Sequence, residues 1–294
     1  RTDRYGTTKL VGSANEILLY ALKRSTENPE ILPDRIYDEY ISTRYGKKAL
    51  EPVKNAFKKA YDIVLSSMYI LGTNAAKHSS MDYDPYSSSY DRHVSGRWLE
   101  PPVVFVEHGI NKEFHYWKDI INHIAPARFK TKDSRLGLEA RYVIEQNWVT
   151  PVELMDSLYL SYIITEKRYG VSLANEALAD IERAKDLLTP SDYDDLYRLF
   201  KRTALTAQLY EAVSTAYFGF RIYAKGKSYR YENLEEQIRS ALNRIDLVTD
   251  EMKGMQGEYP LGQWDWLKDA ETALSYKNKI LTGWKEYNNV KFTQ

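Results

Sequence analysis

The chain has 294 residues, 43% of them hydrophobic, enough to bury one large core or two modest ones. Its 41 basic residues balance 41 acidic ones, so it lacks the basic excess from which nucleic-acid binders draw most of their affinity, and no nucleic-acid partner is expected. Without cysteine there are no disulfides, thiolate metal sites or cysteine nucleophiles, and no apolar run approaches the roughly 20 residues of a membrane helix, so no membrane partner is expected.

Helix punctuation is clear along the chain. Ser13 can cap a first helix carrying Ile17, Leu18, Ala21 and Leu22, which ends before Asn28-Pro29. Pro33-Asp34 opens a second, with Ile36, Tyr37, Tyr40 and Ile41 on one face and Gly46 just past its end. A third is expected from about Pro52 to Leu71, with Val53, Phe57, Ala60, Val64, Met68 and Leu71 spaced by three and four and Gly72 closing it.

An irregular stretch follows, from Thr73 to Ile110. Beyond it, helices are expected after Asn111, bearing Phe114, Trp117, Ile120 and Ile121, and from about Asp133 to Gln146. Thr150-Pro151-Val152-Glu153 is a capping box that opens a helix reaching Tyr169, with Gly170 as its terminator and a further helix from there to about Leu188. Thr189-Pro190-Ser191-Asp192 repeats the start signal and launches the longest helix, to about Ala224. Its residues Tyr193, Leu196, Phe200, Thr203, Ala207, Tyr210, Ser214, Tyr217 and Arg221 alternate spacings of three and four, the seam of a bundled helix. Two more helices are expected at about Glu232 to Lys253 and Trp264 to Lys285. Pro102-Val103-Val104-Phe105-Val106 is the one good strand candidate. The fold expected is all-α, a multi-helix bundle with one long aromatic- and His-rich loop and at most a short strand.

Tyrosine is abundant: 25 Tyr, six Trp and eight Phe make 13% of the chain aromatic. Such rings suit sugar-binding surfaces, where a face stacks and a polar edge bonds, although the ordinary role of any one Tyr is to fill a helix–helix seam near solvent. The stretch from Thr73 to Ile110 is the best functional candidate, because loops this long inside compact domains are usually functional or disordered. Tyr83, Tyr86, Tyr90, Trp98 and Phe105 fall in it, and all five histidines (His78, His93, His108, His115 and His123) lie in it or in the helix after it.

The chemistry legible there is binding. His108, Glu113 and His115, with Asp82, Asp84 and Asp91 nearby, match no spacing that fixes a metal geometry, so no metal and no other cofactor is expected. Glycoside hydrolysis needs two carboxyls about 5–10 Å apart on rigid elements. Asp82, Asp84, Asp91, Glu100 and Glu107 sit on a loop instead, and no catalytic residue is assigned. No nucleophile elbow, P-loop or dinucleotide fingerprint is present.

The order of short motifs carries a resemblance. Gly12-Ser13-Ala14-Asn15, then Asn28-Pro29, Arg44-Tyr45-Gly46, Asp82-Tyr83-Asp84-Pro85-Tyr86 and Tyr90-Asp91-Arg92-His93-Val94-Ser95-Gly96 follow one another. This resembles the α-glucuronidase family of glycoside hydrolases (family 67 or a related barrel family), from the end of its catalytic barrel through its helical C-terminal domain. The likeness extends over about residues 10 to 225 as scattered short matches. Glu27 stands where that family tends to have Trp, and Asp82-Tyr83-Asp84-Pro85 replaces a His-Tyr-Gly-Pro-like element. The broader clan is therefore the expectation rather than α-glucuronidase activity itself.

The resemblance implies that the acid and base lie on barrel strands upstream of this chain, which opens Arg1-Thr2-Asp3-Arg4 and reads as a processed or excised piece. Residues 1–72 would be helices following the end of that barrel, 73–110 the functional loop and 111–294 a C-terminal helical bundle. The domain would buttress the barrel, take part in dimerisation, and line the cleft for an oligosaccharide or polysaccharide with Tyr83, Tyr86, Arg92, His93 and Trp98. A periplasmic or extracellular location fits that role better than a cytoplasmic one. Two other readings stay open: a non-catalytic helical glycan-binding or scaffold protein, and an α/α-toroid polysaccharide lyase using Tyr90, Arg92 and His93.

Overall fold

In the computed structural model, residues 14–70, 73–74, 76–77, 80–81, 157–224, 233–258 and 266–291 are described. Among them seven α-helices carry the architecture: α1 (Glu16–Glu27), α2 (Pro33–Arg44), α3 (Leu50–Met68), α4 (Ser157–Arg183), α5 (Pro190–Ala224), α6 (Leu234–Glu258) and α7 (Trp266–Lys291). The all-α bundle expected from the sequence is the fold observed. The strand candidate at 102–106 and the helices expected between 111 and 156 lie outside the described residues.

The caps explain several boundaries. Asn15 occupies the N-cap position of α1, and the Asn28 amide closes that helix by donating to Arg24 O. Pro33 occupies the first turn of α2, where its missing N–H costs nothing. Gly46 follows α2 at φ 90°, a left-handed turn that glycine makes without strain. At α5 the Thr189 hydroxyl accepts the Asp192 amide at 3.2 Å and donates to the Asp192 carboxylate at 2.8 Å. The first bond is the N-cap half of the capping box the sequence announces, and the second ties the Asp192 carboxylate to the cap's own hydroxyl.

Ion pairs give the helix directions. Lys54 meets Asp38 at 2.6 Å and Lys58 meets Asp34 at 2.9 Å, so α2 and α3 run antiparallel. Lys59 meets Asp180 at 2.7 Å while Ser66 and Ser67 lie beside Lys167, so α3 and α4 are antiparallel as well. The short connection 184–189 folds α5 back along α4. Glu211 to Arg244 and Lys201 to Glu251 place α6 antiparallel to α5, and Asp246 to Lys277 returns α7 along α6.

Two apolar clusters are strung along the α4–α5 pair. One joins α1, α2 and α3 to the later turns of α4 and the first half of α5, through Tyr40, Val53, Phe57, Ala177, Ile181 and Phe200. The other joins the start of α4 to the second half of α5, α6 and α7, through Ile163, Leu209, Phe218, Ile245 and Trp284. The Tyr–Phe chain 40–45–57–200, with neighbouring centroids 5.9–6.4 Å apart, fills the first. Tyrosine here is seam filler as much as surface.

The structure departs from the sequence reading at several places. Helix α6 runs on past Lys253 through Gly254 to Glu258, and the start of the stretch expected to be irregular forms short strands. Gly170 does not end a helix: α4 runs through it from Ser157 to Arg183. A Cβ there would sit 2.9 Å from Ser67 Oγ and 3.0 Å from Ser66 Cβ, so the glycine serves close helix approach rather than termination. α3 ends at Met68, and its buried face turns from Val53 and Phe57 to Ile63, Leu65, Ser66 and Ser67, which leaves Val64 43% exposed. α1 buries no residue fully: Ile17 packs inward, whereas Leu18 and Leu22 are more than 60% exposed. Finally, α5 is more than a seam, because residues 209–216 are buried on every side.

Past α3 the chain makes two small antiparallel ladders. β1 (Tyr69–Ile70) pairs with β2 (Thr73–Asn74), and β3 (Ala76–Lys77) pairs with β4 (Ser80–Met81). β4 lies beside α7, so the ladders carry the backbone from the end of α3 to that helix.

Candidate functional site

The residues singled out by the sequence, Tyr83, Tyr86, Arg92, His93 and Trp98, all lie outside the described residues, and so do all five histidines. What the structure does describe is the base from which that stretch leaves, the end of α3 and the ladders after it.

That base is built on a buried lysine. The Lys167 side chain is fully buried and its ammonium donates to Ser66 O at 2.6 Å and Ser67 O at 3.1 Å. These carbonyls belong to the last turn of α3, where no following turn supplies amides. The ammonium also meets the negative end of the helix dipole. Glu166, 2% exposed, supplies a counter-charge at 3.1 Å. Burial pushes the Lys167 ammonium below the ordinary lysine range, and the Glu166 carboxylate opposes that shift. Gly170, less than one turn further along α4, lets the two backbones close up around the bond. Sequence reasoning missed this site because Glu166-Lys167-Arg168 looks like a solvated charge run. The signal was in the spacing: Leu160, Ile163, Ile164, Lys167, Ala174 and Ala177 lie on one side of α4, which places the lysine on its apolar stripe.

Two other buried carboxylates hold the helices together. Asp180, 2% exposed, takes Lys59 from α3 and Arg183 from its own helix. Glu211 on α5 faces Arg244 at 2.9 Å and Arg168 at 3.6 Å, joining α4, α5 and α6. Its arginines keep part of their surface in water, which reduces the desolvation cost of the network. On the outside, Glu39 is held down to about 2 by hydrogen bonds from Arg24 and Arg35.

Each of these carboxylates is bonded to cations, so what this part of the bundle offers is cross-linking. Among the described residues no group of three His, Asp or Glu is arranged to hold a metal ion, and no helix is long and apolar enough to cross a membrane. Comparison of the chain with protein families, with curated proteins and with solved structures gave no match. The fold and the described chemistry define a helical scaffold that launches one aromatic-rich stretch.

Proposed function

We propose that the chain is the helical accessory domain of a carbohydrate-active glycoside hydrolase, supporting a catalytic barrel and lending the segment Tyr83–Trp98 to the substrate cleft. The observation that carries this reading is α1. The helix lies among the motifs on which the family resemblance rests, with Asn15 and Asn28 at its two ends, and it presents Leu18, Leu19 and Leu22 to solvent. Leu32, in the link to α2, is 71% exposed as well. An apolar helix face beside a well-filled core is the kind of surface that a neighbouring domain covers. The committed carboxylates of the bundle suit a supporting role, since hydrolysis needs a pair of carboxyls facing a sugar.

The segment supplies binding in this scheme, with the chemistry left to the barrel. The planar Arg92 fork suits a sugar carboxylate, and Trp98 suits a sugar face. The test is steady-state kinetics of the barrel-containing protein with Trp98→Ala or Arg92→Ala. A raised KM with kcat nearly intact is expected, the mark of lost uniform binding. Equal kcat losses on long and short substrates, with KM unchanged, would refute this division of labour. Release of sugar from aryl glycosides by the purified chain alone would refute the accessory role. Glycan binding by the chain alone, with no barrel protein found to engage α1, would favour the non-catalytic glycan-binding reading instead.

A further inference from the structure

We propose that Lys167 is a positioning residue for the chain that follows α3: its ammonium pins the last turn of that helix and so sets the direction in which the backbone enters the β1–β4 ladders and crosses to α7. Three observations carry this. The two carbonyls it binds are those of Ser66 and Ser67, the last two residues before Met68 ends the helix. Gly170 brings α4 so close that a methyl group would collide with the same two serines, so the bond and the close approach act on one turn. The chain then turns at once into β1, and β4 lies beside α7, so a small rotation of the last turn is carried into the ladders.

A core ion pair serving stability alone needs no such aim, because it can bond any carbonyl or carboxylate nearby. This lysine directs two bonds at the exit turn and lies 3.1 Å from Glu166, its neighbour in sequence. The consequence for ligand binding rests on the proposed function: with Tyr83–Trp98 as the binding segment, Lys167 acts on affinity from a distance, through backbone direction.

The experiment uses the full chain and reads amide hydrogen exchange in Lys167→Met, which keeps length and apolar bulk. The expected result is an increase of about tenfold or more in exchange for the last turn of α3 and β1, with the amides of α5 and α6 unchanged, because local opening is read segment by segment. Unchanged exchange at the end of α3, or equal acceleration throughout the bundle, would overturn the proposal. Should Lys167→Met fail to fold, Glu166→Gln decides in its place. It keeps the shape and removes the counter-charge, and it must loosen the same turn selectively or the proposal falls. A second arm measures binding of a glucuronic-acid-substituted xylo-oligosaccharide to the barrel-containing protein with and without the substitution. Weaker binding by a variant that keeps its helix content supports positioning, and equal binding refutes it. No binding by the unmutated barrel-containing protein would count against the proposed function alone, with the exchange result still deciding the role of Lys167.

Discussion

Replacing one glycine by alanine should change stability in opposite directions at two positions of this bundle. In a helix interior Gly→Ala gains about 1 kcal/mol of intrinsic propensity. At Gly254 in α6 a new methyl group meets nothing within 4 Å, so the whole gain should appear. At Gly170 the methyl would lie 2.9 Å from Ser67 Oγ, 3.0 Å from Ser66 Cβ and 3.3 Å from the Ser66 carbonyl carbon. The hydroxyl can rotate away, but the other two atoms belong to or adjoin the α3 backbone and move only if the helices separate. Overpacking of this kind costs about 1–3 kcal/mol. Separation also lengthens the Lys167 bonds to the exit turn, adding a loss on the order of 1 kcal/mol. Gly170→Ala should therefore be destabilising by roughly 1–3 kcal/mol after its propensity gain. Denaturant unfolding of both variants beside the parent, compared at equal m-values, measures the difference. Stabilisation at both positions would mean that α3 and α4 are not in close contact, and the account of the exit turn would fail with it.

Further outcomes follow from the packing. Phe200, 3% exposed and edge-on to Phe57, should cost about 3–5 kcal/mol on truncation to alanine, whereas Leu18→Ala on the open face of α1 should stay within about 0.5 kcal/mol. Glu211→Gln should destabilise by about 1–3 kcal/mol, since two arginines lose their shared carboxylate but can turn to water. Because Glu39 is depressed to about 2, its contribution is present above the unfolded carboxylate range and is lost as pH falls towards about 2. An acid titration of thermal stability in Glu39→Gln should lack that part of the decline, and the effect in the parent should shrink with added salt.

The elements that the sequence disclosed are those whose ends are local events. Pro33, Asn28-Pro29, Gly46 and Thr189-Pro190-Ser191-Asp192 act on their own backbone, and the structure places helix ends at each of them. Gly170 misled because terminator and contact glycine share one letter, and only the opposing helix tells them apart. The stripe on α3 failed at Val64 for a related reason: the approach of α4 selects Ser66 and Ser67 as the buried face, and small polar residues leave no apolar period to read. On α1 the full stripe was visible, but periodicity alone does not say whether the covering surface belongs to the same bundle. The candidate binding segment was legible as composition, through its tyrosines and histidines. Its anchor was hidden, because Lys167 carries a charge at a position where the pattern asks for a leucine.

Burial of α5 has a mechanical consequence. Its 35 residues form a single rod of about 50 Å at the usual helical rise, and both apolar clusters grip that same rod. Melting one cluster while the other stays folded would have to fray or break the rod between Phe200 and Leu209. That stretch holds no glycine or proline at which a break would be cheap. A load applied at α1 is thus borne by the same beam that seats α6 and α7. A force on the exposed leucines would be passed through the first cluster to that rod.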